Sequence, residues 1–150
     1  MTMRRILGIL LLLLALAACG SDVSEPANDA GDPSDSPAAV TQVALLTGTS
    51  AGGEVTTEPT PLPDAAAVQD YASQFRNDVL GGEIVAAAEK AEVPDGQQLA
   101  AAVVAVGCEV PTEVVGTGTG ADLAVHAVLP SSTKKCFAPI TSVALMLVPA

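Results

Sequence analysis

The chain of 150 residues contains 17 acidic and six basic residues, which gives a formal net charge of −11 at neutral pH. This balance argues against a nucleic-acid-binding protein, because binding to phosphates requires a basic surface. One Tyr, two Phe and no Trp are present, so an aromatic stacking surface for single-stranded nucleic acids is not expected either.

The first eighteen residues have the order of parts of a secretory signal peptide. Arg4 and Arg5 supply a positive start, and residues 6–18 form a run that is apolar apart from Gly8 and ends in small residues. The run is shorter than the roughly 20 apolar residues that a membrane-spanning helix needs. We therefore predict that residues 1–18 are a leader, removed on export.

Leu16-Ala17-Ala18-Cys19 closes this run and resembles the lipobox of bacterial lipoproteins at each of its four positions. The resemblance implies that the Cys19 thiol receives a diacylglyceryl group and that cleavage makes this cysteine the new N-terminus. Two acyl chains, such as palmitate, anchor a protein stably, whereas one binds a membrane only marginally. The expected location is the extracytoplasmic face of the cell membrane. An ordinary secretory signal that happens to precede a cysteine is the alternative.

Residues 20–39 are rich in Ser, Asp, Pro, Ala and Gly and carry five acidic residues without a basic one. Such a segment buries too little apolar surface to offset its ordering entropy, so we expect a disordered tether. Its aspartates lack the spacing of a calcium-binding EF-hand loop, and no metal site is expected. The predicted organisation is a leader over 1–18, a lipidated cysteine with an acidic linker over 19–40, and one domain over 41–150. Loss of the leader would leave four basic residues against 17 acidic ones, a net charge of −13.

The first half of the domain is predicted to contain one strand and two helices. The strand covers 40–46, and a helix runs from the N-cap Asp64 to residue 80. Gly81-Gly82 is expected to end this helix, and a second short helix covers 83–91. One face of the first helix repeats apolar residues with a 3.6-residue period and is expected to pack on a sheet: Val68, Tyr71, Ala72, Phe75 and Val79.

The second half is predicted to be β. Residues 99–106 indicate a strand buried on both faces, although a buried helix has the same pattern. Residues 113–117 and 123–129 flank a glycine-rich turn and predict a hairpin, and 140–148 is a closing strand. The fold class is therefore α+β, with a small, mainly antiparallel sheet or sandwich and one or two helices.

Two cysteines remain after Cys19, and both lie beside predicted strands. In an exported protein, Cys108 and Cys136 are expected to form a structural disulfide that closes a loop of about 29 residues. The alternative, a reactive or metal-binding thiol pair, lacks partners because the chain has one histidine and no Cys-x-x-Cys motif. We expect no cofactor.

His126 is the only histidine and hence the only candidate for a general base of the residue type that changes charge near neutral pH. A hydrolase could be assembled from it with Asp122 and either Ser131 or Ser142, but no Gly-x-Ser-x-Gly elbow is present. Strand alternation places His126 towards solvent. The glycines at 116, 118 and 120 suggest a phosphate loop, but a strand rather than a helix follows them, which favours a hairpin turn.

A further resemblance involves the segments around the cysteines. Val106-Gly107-Cys108-Glu109-Val110-Pro111 and Cys136-Phe137-Ala138-Pro139 resemble small actinobacterial lipoproteins. The order of helix, apolar strand, hairpin and final strand is similar to the C-terminal domain of PrcB-type protease-stabilising proteins. That family has Gly-Gly-Tyr where this chain has Pro111-Thr112-Glu113, so the resemblance implies a fold and not a shared function.

These observations predict a lipid-anchored cell-envelope protein that is not an enzyme and that binds another envelope protein through its loops. A lipoprotein that binds a small ligand in a single cleft is the alternative, because about 110 residues are too few for a two-lobed receptor. A hydrolase that uses His126 is the least favoured hypothesis.

Overall fold

The computed structural model describes residues 40–76, 78–131 and 135–150. The predicted leader, Cys19 and most of the acidic linker lie outside the described residues. No helix in the described ranges is long and apolar enough to cross a membrane. The elements in chain order are β1 (Thr41–Thr49), β2 (Thr60–Pro61), α1 (Ala65–Ser73), α2 (Asp78–Glu89), β3 (Gln97–Gly107), β4 (Glu113–Thr117), a 3-10 turn (Gly120–Asp122), β5 (Ala124–Val128) and β6 (Ile140–Pro149).

A four-stranded antiparallel sheet of order β1-β6-β3-β2 is the centre of the described part, and β4 and β5 form a separate hairpin. The two central strands pair along their whole length, from Gln97 opposite Pro149 to Gly107 opposite Ile140. Every residue from 99 to 105 is buried, which confirms a strand covered on both faces. With two helices packed beside this sheet, the predicted α+β class is confirmed.

Alternate residues of the central strands face two different layers, as the two-residue period of a strand requires. On one side, Val103 and Leu145 pack with Leu80 and Ile84 of α2. On the other side, small residues of β3 and Met146 of β6 pack under the β4–β5 hairpin. The sheet is therefore the middle layer between the helices and the hairpin.

The continuous helix predicted over 64–80 is wrong, because α1 ends at Ser73 and α2 begins at Asp78. The predicted N-cap is correct, since Asp64 Oδ1 accepts a hydrogen bond from the Ala67 backbone N–H at 2.9 Å. The chain turns after α1, where the Arg76 backbone N–H donates to the Ala51 carbonyl at 2.9 Å. A contact with a distant loop, which periodicity cannot detect, thus interrupts the helix.

The helix stop predicted at Gly81-Gly82 is also wrong, because both glycines lie inside α2. A Cβ at residue 81 would be 3.2 Å from the Ala72 carbonyl oxygen, so the glycine allows α1 and α2 to pack closely. The separate helix predicted over 83–91 is therefore the second part of α2. Val79, which was expected on the buried face, is 69% exposed, because the new helix starts with a different orientation.

Tyr71 of α1 and Phe75, which follows the end of α1, pack in the core, as predicted. Phe75 is buried, and its ring meets that of Tyr71 edge-to-face with the centroids 5.8 Å apart. The Tyr71 hydroxyl is buried without a hydrogen-bond partner among the described residues. Burial also raises the pKa of Tyr71 above its ordinary value of 10.0. This hydroxyl therefore opposes folding although its ring favours it.

Replacement of this tyrosine, Tyr71→Phe, should raise the free energy of unfolding by about 1 kcal/mol, because the ring stays and an unsatisfied buried hydroxyl is removed. The raised pKa means that the unfolded chain loses the tyrosine proton first. Stability is therefore fully retained below about pH 10 and falls as the pH rises further. Urea unfolding of both proteins at neutral pH and near pH 10.5 measures both effects. Tyr71 is the only tyrosine, so no other phenol contributes to the change near pH 10. A variant less stable than the wild type would contradict this account. So would a stability difference between the two proteins that is the same at both pH values.

Candidate functional site

A groove opens between the start of α1, the end of α2 and the β2–β3 edge of the sheet. Its volume is about 450 Å³, which lies in the range of small-molecule sites. We call it the helix–sheet groove. Its larger apolar lining residues are Leu62, Val68, Val85, Val93 and Leu99.

The local sequence explains why this groove forms. The Leu62 backbone N–H donates to the Leu99 carbonyl at 2.8 Å, which continues the short β2 pairing. Pro63 and the N-cap Asp64 then turn the chain into α1. Leu62, Val68 and Leu99 are buried and form the floor, whereas Val93 is exposed and forms one wall. The groove is therefore apolar inside and open to solvent.

Among the described residues, the charged side chains that line the groove are all negative. Two carboxylates, Asp64 and Glu89, and three glutamine amides at 69, 97 and 98 line it. Gln98 Nε2 donates to the Pro149 carbonyl at 3.2 Å. No Lys, Arg or His belongs to the lining that residues 40–76, 78–131 and 135–150 provide. Glu89 also borders a more open depression of about 530 Å³ on the outer side of the two helices.

The predicted disulfide is confirmed, with the Cα atoms of Cys108 and Cys136 5.3 Å apart. It joins the end of β3 to the segment that enters β6. The intervening chain, which carries the β4–β5 hairpin, is thus closed at its base.

Exposed apolar side chains lie in the chain segments that follow Cys108 and flank Cys136. Phe137 follows Cys136 and is fully exposed, and Val110 and Leu129 are also exposed. The Thr112 backbone N–H donates to the Val128 carbonyl at 2.9 Å, so the segment after Cys108 runs beside the end of β5. We call Val110, Leu129 and Phe137 the apolar loop patch. Exposed Lys135 lies beside it in sequence.

The structure does not bring the predicted hydrolase residues together. His126 is exposed on the outward face of β5, as strand alternation predicted, whereas Ser142 is fully buried in β6. The Ser142 hydroxyl has no hydrogen-bond partner within the described part of the chain. Asp122 and Ser131 are exposed at opposite ends of β5.

The glycine-rich segment is a hairpin turn, as predicted. Gly118 has a φ of +75°, and a Cβ there would collide with the Asp122 carbonyl oxygen. Glycine is thus required by the turn itself. Over residues 40–76, 78–131 and 135–150, no group of three or more His, Cys, Asp or Glu side chains is arranged to hold a metal ion.

The groove was not predicted from the sequence, because its walls come from separate segments that only the fold brings together. A local signal was Glu89, an acidic residue near the end of a predicted helix, where a basic residue is usual. No protein-family profile, curated protein or solved structure matches this chain.

Proposed function

We propose that this protein is a lipid-anchored, extracytoplasmic module of the cell envelope that binds another envelope protein through the apolar loop patch. The lipobox-like residues ending at Cys19 support the anchoring. The apolar loop patch supports the binding. The proposal includes no catalytic or cofactor-dependent step.

The exposure of Phe137 is the observation that carries this proposal. The chain has three aromatic residues, and the other two pack in the core of the described domain. Water contact of a whole phenyl ring is unfavourable, and burial of such a ring against a partner gains roughly 25 cal/mol per Å². Buried aromatic residues commonly dominate the binding energy of interfaces. The nearby disulfide restrains the patch before binding, which reduces the entropy lost in the complex.

Photo-crosslinking on intact cells tests the proposal. A photoreactive phenylalanine analogue at position 137 should give one discrete protein adduct. The same analogue at Glu83, which is exposed on α2, serves as the control and should not. The purified partner should bind Phe137→Ala at least ten times more weakly than the wild type. The proposal fails if position 137 gives no adduct or if the alanine variant binds equally well.

A second candidate function, binding of a small ligand, is favoured by the helix–sheet groove. Its volume and apolar floor are those of a ligand site, and it is a single cleft within one small domain. A ligand that binds only the folded state raises the melting temperature by an amount that increases with the logarithm of its concentration relative to its Kd. A thermal-shift screen therefore separates this candidate from the first, provided that Ala88→Phe, which narrows the groove, removes the shift.

A further inference from the structure

We infer that the helix–sheet groove binds an apolar molecule that carries a positive charge, such as an alkyl- or arylammonium compound. This inference rests on the second candidate function, because it names the ligand class for that groove. It is carried by the position of two carboxylates relative to the helix ends and to the apolar floor.

Glu89 lies at the end of α2 where a negative charge is electrostatically unfavourable. The C-terminal end of an α-helix carries a partial negative charge and favours a basic residue, whereas a carboxylate there is unfavourable. Glu89 is the last residue of α2, and no basic residue lies in that last turn. Lys90 follows the helix but does not line the groove. The helix end and the carboxylate thus concentrate negative charge at one wall.

Asp64, the N-cap residue of α1, adds a second carboxylate to the groove lining. One of its oxygens accepts the Ala67 N–H and caps α1. The partial positive charge of a helix N-terminus is about half an elementary charge, which a full carboxylate exceeds. The groove is therefore net negative even where the positive end of α1 approaches it.

The apolar floor of the same groove determines the rest of the ligand. Leu62, Val68 and Leu99 offer an apolar surface, which an inorganic cation or a hydrated amine would not use. A ligand with a naphthalene-sized apolar body and one ammonium group would contact the floor and a carboxylate together. A carboxylate of the same size would be repelled. The strong negative charge of the chain also raises the local concentration of cations.

Titration calorimetry with three matched probes tests this inference: 2-naphthylmethylammonium, 2-naphthylmethanol and 2-naphthoate. The protein is the full mature chain from residue 19 with Cys19→Ser, so that no acyl chain competes for the probes. The ammonium probe should bind at least tenfold more tightly than the naphthoate, with the alcohol between them. Glu89→Gln should lower the affinity for the ammonium probe about three- to fivefold, as expected for an exposed charge. It should leave the affinity for the alcohol unchanged.

Two controls distinguish the groove from general attraction to an acidic protein. Glu83→Gln makes the same charge change on the same helix outside the groove and should alter ammonium binding less than twofold. Asp64→Asn preserves the helix cap, and combined with Glu89→Gln it should abolish the preference for the cation. Glu89→Gln alone should also raise the melting temperature by about 2 °C, because it removes the unfavourable charge from the helix end.

The outcomes separate this inference from the function on which it rests. Binding of the alcohol that Ala88→Phe abolishes, without any preference for the ammonium probe, would overturn the charge assignment and leave a small-ligand site. Equal effects of Glu83→Gln and Glu89→Gln would also overturn it. Absence of binding by all three probes would overturn the inference, whereas the small-ligand candidate is decided separately by the thermal-shift screen. The crosslinking result at position 137 is independent of all of these outcomes.

Discussion

Replacement of both disulfide cysteines, Cys108→Ala with Cys136→Ala, should lower the free energy of unfolding by about 3.6 kcal/mol. The bond closes a loop of about 29 residues, and the entropy that this closure removes from the unfolded chain gives that value. A domain of this size has a total stability of roughly 5–15 kcal/mol. Guanidinium unfolding of the double variant should therefore show a much lower midpoint. Reduced wild-type protein should behave like the variant, and a change below about 1 kcal/mol in both would contradict the expectation.

The loss should also be uneven across the fold. The disulfide closes the base of the segment that carries β4 and β5, whereas the central strands β3 and β6 are paired over their whole length. Amide hydrogen exchange should therefore accelerate most in the hairpin, since regions with few packing contacts open first. Uniform acceleration would mean that the bond stabilises the entire domain equally.

This prediction is connected to the proposed function through Phe137. The phenylalanine follows Cys136 directly, so the disulfide restrains its backbone relative to β3. Without the bond, the apolar loop patch must be ordered when the partner binds, which adds an entropic cost. Crosslinking at position 137 should therefore decrease in the double variant even at temperatures where it remains folded.

The β half of the fold could be predicted because its signals are local. Residues 99–106 are a continuous apolar run, as expected for a strand covered on both faces, and 140–148 is a mostly apolar strand between two prolines. The glycines before β5 mark a turn, and alternation along that strand places His126 outside. The disulfide followed from the number of cysteines and their expected export. The strand and turn inferences needed only neighbouring residues, and the disulfide needed only the number of cysteines and the expected compartment.

The helices and the groove could not be predicted for the opposite reason. The break after Ser73 depends on the hydrogen bond from Arg76 to Ala51, a residue of a distant loop. Gly81 was interpreted as a helix stop, but its function is close packing against Ala72, which depends on the tertiary arrangement. The groove combines a strand edge with the ends of two helices. The position of Glu89 near a helix end was visible in the sequence, but that this helix end borders a groove was not.

The prediction with the largest expected effect on localisation concerns Cys19, which lies outside the described residues. Cys19→Ser should abolish lipid attachment completely, because the lipobox resemblance assigns the acyl group to this thiol. Two acyl chains each contribute roughly 0.8 kcal/mol per buried CH₂, and a protein without them has no comparable membrane affinity. The effect should thus be all or none.

Intact mass of the membrane-extracted protein measures this effect directly. The wild type should begin at Cys19, carry a diacylglyceryl-sized increment, and show Cys108 and Cys136 alkylated only after reduction. The matched control is the double disulfide variant, which should keep the lipid although it loses stability. An unmodified wild-type chain, or a lipid increment that persists in Cys19→Ser, would refute the anchoring. Because the three cysteines have separate expected roles, one set of masses assigns anchor and disulfide independently of each other.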